Sequence, residues 1–115
     1  LFGKDRVVLI SDSMRATGLS DGVYPFGGQP IHVRGGVAMT EDGHIAGSTT
    51  DLFTCVRRAI SFGIPEEDAV RMASENPARH MGLDTKGRIA VGYDADLILV
   101  RDDFVLVRAI ARGEF

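Results

Sequence analysis

The stretch RVVLISDS, residues 6–13, places four consecutive apolar side chains directly before three polar ones. An uninterrupted apolar run of this length is typical of a β-strand buried on both faces, as in a parallel sheet. The pattern therefore predicts a strand over Arg6–Ser11. Polar side chains begin where this strand stops, and Asp12 is the first ionisable one among them.

The next sixty residues predict a loop, a hairpin and helices. The glycine-rich stretch from Gly18 to Gly28 predicts a long loop. Two alternating segments, Ile31–Arg34 and Val37–Thr40, are joined by Gly35-Gly36, which predicts a hairpin with a primed turn. A short third strand is expected over residues 44–47. Ser48 is then expected to cap a helix, because its hydroxyl can accept a hydrogen bond from a free first-turn amide.

Helices are predicted after residue 51, and the predicted structure changes from helices to strands near residue 84. Apolar residues at helical spacing (Leu52, Val56, Ala59, Ile60) predict the first helix, and Pro65 begins a second that ends near Ser74. One more turn is expected over residues 77–81. Strands are predicted over residues 96–100 and 104–112. We therefore expect an α/β part over residues 1–83 and an all-β part over residues 84–115.

Composition excludes several classes of protein. The 115 residues are 44% hydrophobic and 25% charged, with a net charge of −3, so neither disorder nor a basic nucleic-acid surface is expected. No apolar run approaches the ~20 residues of a membrane span. The single cysteine, Cys55, fits a reducing cytoplasm. The chain begins at Leu1 and is too short for a complete (β/α)₈ barrel, so we expect a piece of a longer protein.

Three separated stretches together resemble the C-terminal part of the amidohydrolase superfamily. They are Ile10–Ser13, Ile45–Thr49, and Asn76–Arg79 followed by GRIAVGYDADL at residues 87–97. Within that superfamily, Ser11-Asp12 and the segments 16–22, 35–38 and 46–48 are similar to the N-acetylglucosamine-6-phosphate deacetylases. The resemblance extends from Val7 to about Gly113.

This resemblance implies a fold and an activity. Residues 1–83 would be the last strand, a hairpin insertion and the last helices of a (β/α)₈ barrel, and residues 84–115 would be strands of a small β-sandwich. The implied reaction is hydrolysis of the acetamide of an amino-sugar phosphate, N-acetylglucosamine 6-phosphate, by water that a divalent metal, expected to be zinc, activates. The family's metal ligands lie on earlier strands, outside this chain. The expected assembly is a homo-oligomer, a dimer.

The resemblance also implies site residues. Asp12 would be the general base that takes a proton from water and later gives it to the leaving amine. Ile45, Ala46 and Gly47 match the segment that contacts the sugar. The three histidines, His32, His44 and His80, match no metal ligand of the family and show no i, i+4 pairing, so no metal site is assigned to them.

Two other interpretations remain open. The chain could belong to another amidohydrolase, such as a dihydroorotase or an aminoacylase, although the hairpin between Gln29 and Gly47 argues against this. It could also be a non-catalytic fragment that self-associates through unpaired strand edges. As an isolated chain it is expected to be inactive, because the metal ligands are missing.

Overall fold

The computed structural model describes residues 2–114 and divides the chain into two compact units. The sheet unit is Leu9–Arg58, and the helical unit combines the residues up to Val8 with those from Ala59 onward. Each unit has its own secondary structure.

An antiparallel sheet of four strands dominates the sheet unit. The strands are β1 (Gly22–Phe26), β2 (Gln29–Arg34), β3 (Val37–Thr40) and β4 (Ile45–Ser48), and they lie side by side in sequence order. Such a meander needs only short connections, since every neighbouring pair of strands is also adjacent in sequence.

The predicted hairpin between β2 and β3 is confirmed. Val33 lies opposite Ala38, and the two connecting glycines, Gly35 and Gly36, have φ values of 57° and 78°. A turn with positive φ at both central residues matches the twist of the flanking strands, and glycine adopts it at no steric cost.

One face of this sheet covers the core of the unit. The alternation along β2 buries Ile31 and Val33 and leaves Arg34 exposed. Tyr24 and Ala46 pack against the same cluster. The cluster therefore combines inward-facing strand residues with residues of the segment that follows Asp12: Met14, Ala16, Ile31, Val33 and Ala38.

Strand β1 lies inside the stretch that the sequence predicts to be a loop. The loop prediction is wrong here because proline and glycine, which are rare in strands, occur within and beside β1. Pro25 pairs with Pro30 of β2, and β1 is the edge of the sheet. An edge strand tolerates proline, because one of its two sides makes no ladder hydrogen bonds.

The strand predicted over Arg6–Ser11 is also corrected by the structure. Residues Lys4–Arg6 form a 3-10 turn, and Val7 is extended, with φ −101° and ψ 137°. Within residues 2–114, the segment 7–12 joins no β-ladder. Ile10 is 74% exposed rather than buried on both faces. The apolar run encodes burial, but a parallel strand exists only when neighbouring strands supply its hydrogen bonds.

Helix α1 (Leu52–Ser61) begins at a different cap from the predicted one. Ser48 ends strand β4, and its hydroxyl accepts a hydrogen bond from the Thr50 amide. Asp51 caps the helix instead, because its carboxylate accepts hydrogen bonds from both the amide and the hydroxyl of Thr54, each at 2.8 Å. These hydrogen bonds hold the pKa of Asp51 below its usual range.

The helical unit contains α2 (Glu66–Ala73), α3 (Glu75–His80) and a two-stranded ribbon, β5 (Leu97–Val100) with β6 (Leu106–Ile110). The second helix, the additional turn and both strands agree with the sequence predictions within a few residues. Among residues 2–114, no helix has the length and hydrophobicity that crossing a bilayer requires.

Residues of the Asn76–Arg79 motif hold the start of the chain. The fully buried Asn76 donates hydrogen bonds through Nδ2 to the main-chain oxygens of Lys4 and Val7, at 2.8 and 2.7 Å. Arg79 donates to the main-chain oxygen of Asp5. A short helix thus fixes the backbone of residues 4–7 through side-chain donors.

The Asp-Ala-Asp part of residues 87–97 has a structural role. Asp96 accepts a hydrogen bond from the Arg112 amide at 2.9 Å, as expected for a carboxylate that satisfies a turn amide. Lys86 pairs with both Asp94 and Asp96. Hydrogen bonds from Lys86 lower the pKa of both carboxyl groups.

Candidate active site

Asp12 has an unusual backbone conformation. Its φ is 51°, in the left-handed region, and its side chain is exposed. A residue other than glycine in this region costs about 1–3 kcal/mol, although aspartate tolerates it better than most residues. Such a conformation persists only where the surroundings fix it, and it is found most often at functional sites.

The end of strand β4 fixes this turn. The Ser48 amide donates to the main-chain oxygen of Asp12 at 2.8 Å, and the Met14 amide donates to the Ser48 oxygen at 2.9 Å. Ser13 and Ser48 thereby form an isolated parallel bridge. The Met14 side chain lies in the core of the sheet unit, so Asp12 is held between a strand and a packed side chain.

The predicted sugar-contacting segment lies against the same turn. A Cβ atom placed on Gly47 would lie 3.3 Å from the main-chain oxygen of Asp12 and 3.9 Å from its Oδ2. Ala46 packs against the core, and Ile45 is 75% exposed. The structure therefore brings Gly47 beside Asp12, two residues that are 35 positions apart in sequence.

Hydroxyl groups add further hydrogen bonds to this arrangement. Ser13 donates through Oγ to the Thr50 oxygen at 2.7 Å, and Thr17 donates through Oγ1 to the Ser48 oxygen at 3.2 Å. The contribution of the Ser48 backbone was not predicted, because the sequence pattern favours a helix cap at this residue, whereas the structure places it at the end of β4.

The three histidines lie in different segments of the chain. His32 is on β2, His44 precedes β4 and pairs with Asp42 at 3.6 Å, and His80 ends α3. Among the residues from 2 to 114, no group of three or more His, Cys, Asp or Glu side chains could hold a metal ion. The described residues therefore do not fit a complete metal site.

An open groove of about 520 Å³ lies on the outer face of the sheet and does not include Asp12. It is shallow and partly charged, unlike the enclosed, mostly apolar cleft that a small-molecule site usually provides. The groove is lined by His32, Arg34, Val37, Met39, Thr40 and Glu41.

The Asp12 turn offers one clear chemical capability. An exposed carboxylate on a fixed backbone can accept a proton from water and return it to a leaving group, provided that a substrate lies within hydrogen-bond reach. The absence of a side chain at residue 47 leaves backbone next to this carboxylate, where a ligand can approach closely.

The sequence profile of the Amidohydrolase family matches residues 11–114. The chain belongs to this family. The match includes Asp12, Gly47 and the Asn76–Arg79 motif.

Three relatives define the similarity more closely. The chain is 43% identical over 113 residues to N-acetylglucosamine-6-phosphate deacetylase of Bacillus subtilis, covering 96% of this chain and 28% of the relative. It is 42% identical over 97 residues to N-acetylgalactosamine-6-phosphate deacetylase of Escherichia coli O157:H7, covering 83% and 26%. The crystal structure of N-acetylglucosamine-6-phosphate deacetylase from Thermotoga maritima superposes with a TM-score of 0.92 at 38% identity, covering 96% of this chain and 31% of that one.

The chain thus spans less than a third of the length of each of these three relatives. The chain that superposes is an α/β structure with antiparallel sheets. It therefore agrees with the α/β class of the predicted fold.

Proposed function

We propose that this chain is the C-terminal part of a metal-dependent deacetylase. The whole protein would hydrolyse the acetamide of N-acetylglucosamine 6-phosphate and release glucosamine 6-phosphate and acetate. Residues 1–83 would complete its (β/α)₈ barrel, and residues 84–115 would contribute strands to a small β-sandwich. Amidohydrolases generally depend on a metal, and here the ligands, for zinc or another divalent ion, would come mostly from outside this chain. A homodimer is part of the same proposal.

Asp12 acts as the proton relay in this proposal. Its carboxylate removes a proton from the attacking water as the C–O bond forms at the acetyl carbon. The same proton then passes to the amide nitrogen, so that the C–N bond breaks and a neutral amine leaves. One carboxylate can perform both transfers only if it keeps its position, and the bond from the Ser48 amide provides that restraint.

The observation that carries the proposal is the contact between Asp12 and Gly47. Each residue belongs to a segment that resembles the family, and the two residues lie 35 positions apart in sequence. A Cβ on Gly47 would lie 3.3 Å from the Asp12 main chain. Two separately matched segments meet at Asp12, whose backbone is strained. This supports the interpretation that they form one site rather than two unrelated turns.

The test is the variant Asp12→Asn in the whole protein that carries this chain. Asparagine keeps the shape but cannot accept the proton, so kcat should fall by at least ~100-fold while KM stays nearly unchanged. The variant Asp102→Asn makes the same change in an exposed turn of the helical unit and should leave kcat unchanged. Near-native kcat in Asp12→Asn would overturn the role of Asp12.

The sugar itself is decided by a parallel assay. The relatives named for the glucosamine and the galactosamine substrates are 43% and 42% identical to this chain. Initial rates on both N-acetyl sugar phosphates therefore belong in the same experiment. Faster hydrolysis of the galactosamine epimer would reassign the substrate but keep the reaction, whereas no hydrolysis of either would overturn the proposed function.

A further inference from the structure

The backbone conformation of Gly47 is one in which a side chain would be strained. Its φ is 138°, in the region that L-residues rarely adopt. It is also fixed in place, because it pairs with Ala38 in the β3–β4 ladder and Ala38 is fully buried in the core. Strand β4 therefore cannot shift at this position without disturbing the packed face of the sheet.

Asp12 is the neighbour that would have to move instead. A Cβ on residue 47 would lie 3.3 Å from the Asp12 main-chain oxygen, a contact tight enough that the neighbour must yield by a few tenths of an ångström. That oxygen is the acceptor of the Ser48 amide. Moving it would lengthen this hydrogen bond and turn the carboxylate, whose Oδ2 lies 3.9 Å from the same Cβ position.

We infer that Gly47 is a positioning residue for Asp12. It leaves the space in which Asp12 keeps its left-handed backbone, and this space sets the direction of the carboxylate. The inference rests on the proposed function, in which the Asp12 carboxylate transfers the proton. It differs from the role that the resemblance implies for Gly47, which is direct contact with the sugar.

The two roles of Gly47 predict different kinetics. If residue 47 only contacted the sugar, a methyl group there would weaken binding of the ground state and raise KM. If it positions Asp12, the methyl group misplaces a proton-transfer group, which lowers kcat and leaves KM nearly unchanged. A misplacement of 1 Å can cost about 100-fold in rate, so a shift of a few tenths is expected to cost ~10-fold.

The experiment compares Gly47→Ala with Gly43→Ala in the whole, metal-loaded protein. Gly43 has a φ of 84°, and a Cβ there would meet no atom within 4 Å, so this variant carries backbone strain without any contact with Asp12. We expect kcat to fall ~10-fold only in Gly47→Ala, with KM within ~2-fold in both variants. An unchanged kcat in Gly47→Ala, or a loss that appears in KM, would overturn the inference.

A double-mutant cycle separates positioning from general damage. If Gly47 acts through Asp12, Gly47→Ala should change kcat by less than ~2-fold when Asp12→Asn is already present. An undiminished ~10-fold effect in that background would overturn the inference, because the loss would then not depend on Asp12.

The outcome stays readable if the proposed function fails. Should the whole protein hydrolyse neither sugar phosphate, a crystal structure of Gly47→Ala tests the geometry directly. A displaced Asp12 backbone with β4 unmoved would support the positioning role, and an unmoved Asp12 would overturn it.

Discussion

Replacing Gly87 with alanine tests how closely residues 87–97 pass the start of helix α3. A Cβ on Gly87 would lie 2.7 Å from the Cα of Glu75 and 3.0 Å from the Ser74 oxygen. Both are backbone atoms, so no side-chain rotation can relieve the contact. Gly92 provides the control, because its φ of 90° nearly equals the 87° of Gly87 and a Cβ there would meet nothing within 4 Å.

The two variants separate strain from steric overlap. Alanine in the left-handed region costs about 1–2 kcal/mol, and both variants should show this loss. Forcing an extra carbon into a packed site costs about 1–3 kcal/mol more, and only Gly87→Ala should show it. We therefore expect Gly87→Ala to lower the free energy of unfolding by about 2–5 kcal/mol and Gly92→Ala by about 1–2 kcal/mol.

Urea unfolding of the whole protein, followed by circular dichroism, measures the difference. The midpoint urea concentration should fall further for Gly87→Ala than for Gly92→Ala, with the slope m unchanged, because the surface exposed on unfolding stays the same. Equal midpoints for the two variants would refute the reasoning, since they would show that the backbone at Glu75 yields without cost.

The remaining predictions concern a buried amide, a helix cap, and the chain as an isolated molecule. Asn76→Ala removes two hydrogen bonds to main-chain oxygens and should lower the free energy of unfolding by about 1–3 kcal/mol. The control His80→Ala, at the exposed end of the same helix, should change it by less than about 0.5 kcal/mol in the same urea experiment. Asp51→Ala should cost about 1 kcal/mol near neutral pH. The pKa of Asp51 is lower in the folded than in the unfolded protein. The stabilisation is therefore present above the unfolded pKa and is lost as the pH falls through the folded pKa. The urea midpoints of the variant and the wild type should accordingly converge in acid. The purified 115-residue chain should not hydrolyse N-acetylglucosamine 6-phosphate even with added zinc, because the described residues hold no complete metal site; turnover would refute this. The same chain should self-associate, because the β5–β6 ribbon exposes apolar side chains such as Ile98 and Leu99, and a monodisperse monomer in light scattering would contradict it.

Local patterns predicted the elements whose partners lie close in sequence. The β2–β3 hairpin follows from alternation and two glycines, and α2 follows from Pro65 and the acidic residues behind it. Both depend on interactions within a few residues, which a sequence pattern encodes directly. The strand predicted over Arg6–Ser11 failed for the opposite reason, because its partners would be distant strands.

The geometry of the candidate site was not predictable from the sequence. Resemblance selected Asp12 and Gly47, but no pattern indicated that Asp12 takes a left-handed backbone or that the Ser48 amide holds it. The role of Asn76 was also missed, because its hydrogen bonds reach residues 4 and 7, about 70 positions away. A buried amide reveals its function only when its acceptors are known.

The matched motifs therefore divide into two kinds with different consequences. Asn76, Arg79 and Gly87 act on backbone, through hydrogen bonds to residues 4–7 and through close passage at Glu75. Backbone contacts of this kind do not distinguish one substrate from another, so these residues support membership of the family and leave the substrate open. Asp12 and Gly47 instead present an exposed carboxylate beside bare backbone. Substitutions at this pair should therefore change turnover, whereas substitutions in the first group should change stability before they change the reaction.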